Sequence, residues 1–412
     1  MSGQVAQVEQ KVKHNKHQGK VRLPRVAIIS SERYPHHDTN TQQIIKNANA
    51  MSAAGLQVEL VVPVQYKGFF KQNYDLSNAI YAYYNVPPGL KIKALRTFPA
   101  SNLRWEKFFH SIAGTLYAVF SKKIDLAYTR NKFTALLCLF FGKKFIFETY
   151  RRHGDEYPKT MRWLAKRARG NTFVGMVLHS KVAADSMQKA GFPKEKLLVL
   201  HNGYDNADML PVLTKQAARD KLGLAAGTQY VVYTGNMQKN KCIESLVDMA
   251  GRLPNTVFLL VGGRPEDVDR LKQYAGMNRV SNVLFTGRLP ISVVSEYLYA
   301  ADVLIIPPVS APLEKYGRTV LPFKLFPYLA AGRPILAPDQ PDMRELLSHH
   351  ENALLVEPDN LAQDAQALAM LLADEPLQEK LSENALDTSK GLTWEERAAK
   401  FIVWLEAKWG GK

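Results

Sequence analysis

The segment Gly317–Ile335, GRTVLPFKLFPYLAAGRPI, decides how the chain is read. Gly317 lets a loop turn, Pro322 suits the start of a helix, and Gly332 stops that helix just before the apolar run that begins at Pro334. Pro327 is tolerated if the first helical turn starts near Lys324. A helix over Pro322–Ala331 that feeds directly into a strand is half of a βα repeat. Its N-terminus, near Thr319–Pro322, offers free N–H groups and the positive end of the helix dipole, which favour an anion. Lys324 lies in the first turn, where a cation opposes that dipole by roughly 0.3–1 kcal/mol, so an anionic ligand is a reasonable cause of its presence.

The same alternation extends outward through the second half. Strands are expected at Tyr230–Thr234, Thr256–Val261, Asn282–Thr286, Asp302–Ile306 and Pro334–Ala337. Helices are expected at Lys241–Arg252, Glu266–Ala275 and Ile291–Ala300. Between the first strand and helix runs Gly235-Asn236-Met237-Gln238-Lys239-Asn240-Lys241. A glycine turn, a following helix N-terminus and a lysine are what a diphosphate needs, although such turns are common and a solvated lysine is the plainer reading.

The first half alternates too. Strands are read at Arg25–Ser30, Gln57–Pro63, Ile124–Thr129, Lys144–Thr149, Thr172–His179 and Lys196–Leu200, with helices at Thr41–Ala54, Lys132–Phe141, Tyr157–Arg169 and Lys181–Ala190. Repeated βα units imply parallel sheets with right-handed crossovers. The expected fold class is therefore α/β, with two Rossmann-like domains whose strand ends face a central cleft. The boundaries are a basic tail at 1–21 expected to be disordered, a first domain at 22–205, a second at 206–392, and a terminal helix at 393–412. In that helix Trp394, Ala398, Phe401, Ile402, Leu405 and Trp409 recur at helical spacing, so it packs on the second domain or crosses back to the first.

Composition sets the outer limits. The 412 residues are 46% hydrophobic and 22% charged, an ordinary globular balance that excludes wholesale disorder. Two cysteines, Cys138 and Cys242, exclude a disulfide framework and fit a reducing, cytoplasmic setting. The longest near-continuous apolar run, Phe133–Phe141, is far short of a membrane span, and the polar, basic N-terminus lacks the apolar core of a secretory signal. The net charge of +16 is one-sided. Residues 1–205 hold 32 Lys and Arg against 13 Asp and Glu, a net +19, whereas the rest nets −3. Such a field attracts nucleic acid, anionic lipid headgroups or a polyanionic substrate.

With these pieces in place, the second half resembles the donor-binding domain of GT-B glycosyltransferases, close to the large retaining group called family 4 (glycosyl transferases group 1). The motifs run in the family's order: Tyr233-Thr234-Gly235 with Lys241, LLVGG at Leu259–Gly263, VLFTGRLP at Val283–Pro290, YLYAADVLIIP at Tyr297–Pro307, and KLFPYLAAGRP at Lys324–Pro334. In the first half, EKLLVLHNGYD at Glu195–Asp205 resembles the turn that closes the acceptor domain. The resemblance implies a sugar transferred from a nucleotide-sugar to a glycan or lipid-linked acceptor, as in bacterial surface polysaccharide synthesis. It also implies retention at the anomeric carbon, with no metal and no cofactor beyond the donor.

Position by position, the family's diphosphate lysine falls on Lys241, and its phosphate arginine on Asn236, which departs from the pattern. Gly287 and Arg288 would lie beside the nucleotide base. Two family glutamates fall on Thr319 and Pro327, and the family's acceptor-domain histidine falls on Tyr150, with His153 the nearest histidine. The donor is accordingly assigned Gly235, Asn236, Lys241, Gly287, Arg288, Arg318, Thr319, Val320 and Lys324. Proton transfer is assigned to Asp38, Glu148, Tyr150 or His153, each of which is also an ordinary polar group. A non-catalytic GT-B subunit remains a second reading. Nucleic-acid binding is a third, but no RNP-type aromatic motif, zinc finger or recognition helix supports it.

One apolar stripe is ambiguous. Trp105, Phe108, Phe109, Ile112, Leu116 and Phe120 recur at helical spacing among Arg104, Lys107 and Lys122-Lys123. The stripe reads as the core face of a helix, while the charge around it, with the loop Tyr66–Tyr74, points to an anionic membrane surface at the cytoplasmic face.

Overall fold

The computed structural model describes residues 22–65, 75–97, 103–310 and 321–410. Arg318, Thr319 and Val320, the tail at 1–21 and the loop at 66–74 lie outside these residues.

Seven parallel strands form the first sheet: β1 (Val26–Ile29), β2 (Val58–Gln65), β3 (Lys91–Thr97), β4 (Leu126–Thr129), β5 (Phe145–Thr149), β6 (Phe173–Leu178) and β7 (Leu197–Val199), in the order β3-β2-β1-β4-β5-β6-β7. Six form the second: β8 (Gln229–Gly235), β9 (Thr256–Gly262), β10 (Val283–Gly287), β11 (Val303–Ile305), β12 (Ile335–Pro338) and β13 (Leu354–Val356), in the order β10-β9-β8-β11-β12-β13. The central strands are apolar throughout, as strands covered by helices on both faces must be. Each sheet has a separate apolar core on either face.

The final helix, Trp394–Trp409, leaves the second domain and packs on the first. Trp394, Ala398, Phe401 and Leu405 are buried there against Ile44, Ala48 and Tyr128. The helix carries Arg397 to Glu148, 249 positions away, with Nη2 and Oε1 2.7 Å apart.

Two local expectations are corrected. The stripe on helix Leu103–Phe120 is not a core face: Trp105 is 57% and Phe120 76% exposed, and Phe108 and Phe109 are also exposed. The helix buries Glu106, His110, Ser111 and Thr115 instead. That side packs closely on β1: a Cβ on Gly114 would stand 2.7 Å from Ile29 Cγ2, so no side chain fits at that position. The aromatic side is left outward.

The second correction concerns the helix starts. The helix after the Gly235 turn begins at Glu244, not at Lys241, because Lys239–Lys241 form a 3-10 turn and Cys242 adopts a φ of 50°. The helix before β12 spans only Leu325–Ala330, with Lys324 at its N-cap. Pro327 explains the late start: its missing N–H is harmless only among the first four positions.

Candidate functional site

A cleft of about 950 Å³ lies between the carboxyl ends of the two sheets. Its walls are the segments that follow β1, β5, β6 and β7 on one side and β8, β9, β10, β11 and β12 on the other. The order of the second sheet centres it on β8. Arg288, after β10, and Gln340, after β12, each stand two strands from Gly235, or about 10 Å on opposite sides.

Gly235 occupies the middle with a φ of 137°, a backbone conformation side chains rarely adopt. A Cβ there would sit 3.2 Å from Lys324 Nζ, and a Cβ on Gly262 would sit 2.4 Å from the Gly235 carbonyl oxygen. Two glycines thus let two strand ends and a lysine converge. The Lys324 ammonium lies 3.4 Å from the centroid of the Tyr233 ring. The Tyr233 hydroxyl donates to the Asn236 carbonyl at 2.7 Å, and the Thr234 N–H donates to Tyr328 at 2.7 Å, which fixes the turn to the short helix.

No carboxylate among the described residues pairs with Lys324 or Lys241. Burial, and then the charge of Lys241, push the Lys324 ammonium well below the ordinary lysine range. Burial also lowers Lys241. Two unpaired ammonium groups flanking a glycine turn form an anion-binding arrangement. Asn236 and Arg288 also line the cleft; Gly287, with φ 69°, turns the chain just before Arg288.

The four residues assigned to proton transfer are not brought together. Tyr150 lines the cleft, its ring 6.2 Å from that of His179. Asp38 is half exposed, and its neighbours His36 and His37 line the wall in its place. Glu148 is buried behind the wall in β5. It accepts from Arg130 at 3.0 Å and from Arg397 at 2.7 Å, and lies 2.7 Å from His179 Nε2. Burial alone would raise its pKa, but the two arginines hold it well below the carboxylate range. It is therefore a permanent anion in a structural network. His153 is buried in the short helix His153–Glu156, with Nδ1 3.1 Å from Glu156. Burial and then Lys132 push it down to about 4, so it is neutral at pH 7.

Among the described residues, His36, His37 and Asp38 are the only group of three side chains arranged to hold a metal ion. They make a poor centre. Arg264, after β9, already meets His37 Nε2 at 3.0 Å, on the lone pair a metal would need. This contact crosses between the domains. A second crossing involves Glu345, which accepts from the backbone N–H groups of Lys181 and Val182 at 2.8 and 3.0 Å and lies 2.8 Å from His201.

Sequence reasoning missed His179, Arg264, Asn202 and Gln340, all placed at the ends of strands whose positions were legible. Burial pushes His179 down to about 4 against the pull of Glu148. Asn202 Oδ1, Ser295 Oγ and Gln340 Nε2 are buried, belong to residues that line the cleft, and have no hydrogen-bond partner.

Comparison with known proteins identifies the frame. Residues 228–374 match the family described as Glycosyl transferases group 1. The second domain is a group 1 glycosyltransferase domain on a GT-B fold. A D-inositol 3-phosphate glycosyltransferase of Jonesia denitrificans is 27% identical to the chain over 241 residues, covering 55% of this chain and 53% of that protein. The putative teichuronic acid biosynthesis glycosyltransferase TuaH of Bacillus subtilis is 28% identical over 185 residues, 44% of this chain and 43% of its own. The chain thus spans about half the length of the curated relatives it matches. Solved structures extend the match in fold to nearly the whole molecule. Anabaena Alr3699/HepE in complex with UDP and glucose superposes with a TM-score of 0.66 at 14% identity, covering 92% of this chain and 99% of that one. Sucrose-phosphate synthase of Thermosynechococcus elongatus gives 0.73 at 17% identity, covering 95% and 100%. Within this matched segment Lys324 caps the short helix Leu325–Ala330 and Pro327 lies in its first turn.

Proposed function

We propose that this protein is a glycosyltransferase that takes a sugar from a nucleotide-diphosphate sugar held in the cleft and passes it to a glycan or lipid-linked acceptor. The observation that carries the reading is the pair Lys241 and Lys324, which line the cleft with the Gly235 turn in the group 1 domain and have no carboxylate partner among the described residues. A departing diphosphate gathers negative charge, and cations already fixed at that point stabilise it without reorganisation. The reaction proceeds with retention and without a metal, as the resemblance implies. Of the residues assigned to proton transfer, Tyr150 is the one that lines the cleft.

The acceptor is a precursor of a surface polysaccharide or lipopolysaccharide, met at the cytoplasmic face of a membrane. Two relatives support this in their own descriptions: TuaH in teichuronic acid biosynthesis, and WaaG, which superposes with a TM-score of 0.63 at 16% identity, in lipopolysaccharide biosynthesis. In this chain, the outward aromatic stripe of helix Leu103–Phe120, in a first half (residues 1–205) of net charge +19, supports peripheral attachment. No helix among the described residues is long and apolar enough to cross a membrane.

Thermal unfolding with UDP-, GDP-, ADP-, TDP- and CMP-sugars and their free nucleotides, without added metal, tests the reading. A ligand at a hundredfold excess over its Kd adds about 2.7 kcal/mol to the stability of the native state. A shift with one nucleotide series identifies the base. No shift with any would refute the donor site and favour a non-catalytic subunit.

A further inference from the structure

Asn202 and Gln340 are 3% and 4% exposed and both line the cleft, yet Asn202 Oδ1 and Gln340 Nε2 have no hydrogen-bond partner. Buried amide atoms are almost always satisfied, because an unmet one forfeits its hydration for nothing. Here the neighbouring backbone is tied down. The Tyr204 N–H donates to Leu392 at 3.0 Å, and the Trp394 N–H donates to Tyr204 at 3.1 Å. A Cβ on Gly203 would sit 2.6 Å from the Thr393 carbonyl carbon. The Asp339 N–H donates to Val356 at 2.7 Å, and the Arg344 N–H donates to the Gln340 carbonyl at 3.0 Å. The His201–Glu345 contact ties the two segments together across the domain boundary. Both segments are therefore held in position, and each amide keeps one buried atom, Asn202 Oδ1 and Gln340 Nε2, without a partner.

Their place in the sheet suggests an occupant. A diphosphate at Gly235 and Lys324 has Arg288 about 10 Å away on one side and Gln340 about 10 Å away on the other. If the base lies toward Arg288, the group on the far phosphate reaches Gln340 and Asn202. An amide oxygen and an amide nitrogen together offer one acceptor and one donor, which suits a hydroxyl that both gives and receives a hydrogen bond. Exchanging the oxygen and nitrogen of either amide leaves both capacities within its reach.

We propose that Asn202 and Gln340 form the subsite that reads the hydroxyls of the transferred sugar, and so determine which sugar is accepted. The inference rests on the nucleotide-sugar reading above.

The test has two arms, applied to Gln340→Met and Asn202→Ala. In the first, UDP, UDP-glucose, GDP and GDP-mannose are titrated calorimetrically. Each variant is expected to bind the free nucleotide within twofold of wild type and to lose about three- to tenfold in affinity for the sugar form. A sugar preference that survives both substitutions overturns the inference while leaving the donor site standing. No binding of either nucleotide to wild type overturns the donor reading and the inference with it. The second arm is thermal unfolding without ligand. Because Gln340 Nε2 is buried without a partner in the free protein, Gln340→Met should leave Tm unchanged or raise it. A fall of more than about 2 °C would mean that the amide holds structure or a fixed water, and would overturn the proposal.

Discussion

Replacing Lys324 by methionine separates the cost of its charge from its use. The side chain is packed over Tyr233, with Lys241 as the neighbouring charge and no carboxylate partner among the described residues. The Tyr233 ring returns on the order of 2 kcal/mol of the desolvation cost. Methionine keeps most of the volume and removes the charge, so Lys324→Met should leave the unliganded Tm unchanged or raise it. Binding should move the other way. A hydrogen bond to a charged group contributes about 1.5–3 kcal/mol, so the variant should lose about 10- to 150-fold in affinity for UDP or inorganic pyrophosphate. The pH dependence has a definite sign. The folded lysine is lowered while the unfolded one is ordinary, so the unfolded chain holds more protons between the two values. Wild-type stability relative to the variant should therefore rise with pH from the lowered folded value up to the ordinary lysine value, as the unfavourable buried charge is lost. Anion affinity should fall over the same window. Calorimetry with and without pyrophosphate reads both. A variant that binds pyrophosphate within threefold of wild type, or that unfolds several degrees lower without ligand, would refute the reasoning.

Glu148→Gln should behave as a structural lesion. It leaves Arg130 and Arg397 facing a neutral amide, and breaking a buried pair costs about 3–5 kcal/mol, so Tm should fall sharply. The lowered Glu148 carboxyl stabilises the fold above its ordinary value of 4.5 and loses that effect as pH falls through its folded value. The variant's acid unfolding should accordingly be less steep, and an unchanged Tm would count against the network. Vesicles containing anionic lipid should co-sediment the protein at low salt and release it at high salt, with Trp105→Ser and Phe109→Ser weakening capture. Failure to bind at low ionic strength would sink the membrane surface.

Much of the frame could be read because strand, glycine and helix follow one another locally. The apolar runs at β1, β5, β6, β8 and β9 stand out in one dimension, as does the Gly235 turn. The edge strand β3, KIKALRT, did not, because it is partly exposed along its length and carries two lysines and an arginine. Helix Leu103–Phe120 was misread for a different reason. Periodicity identifies the two faces of a helix but not which one a sheet will accept, and Gly114 against Ile29 settles that only in three dimensions. The cleft residues His179, Asn202 and Gln340 acquire their meaning from partners, or the lack of them, far away in sequence.

Two buried charges are easily confused. Glu148 and Lys324 are both placed where a charge is expensive, and burial alone would nominate either for chemistry. Glu148 is satisfied three times over. Arg130, in turn, donates to Asn40 at 2.7 Å and to Gln43 at 2.9 Å, which fixes its guanidinium. A carboxylate held that firmly below its ordinary range has no proton to exchange near neutrality. Lys324 is the opposite case: a desolvated cation, a second cation nearby, and an aromatic face in place of an anion. A fold that keeps such a group gains from it only when something negative enters the cleft. The place for that anion is the Gly235 turn, where the glycine leaves room for it to approach the backbone.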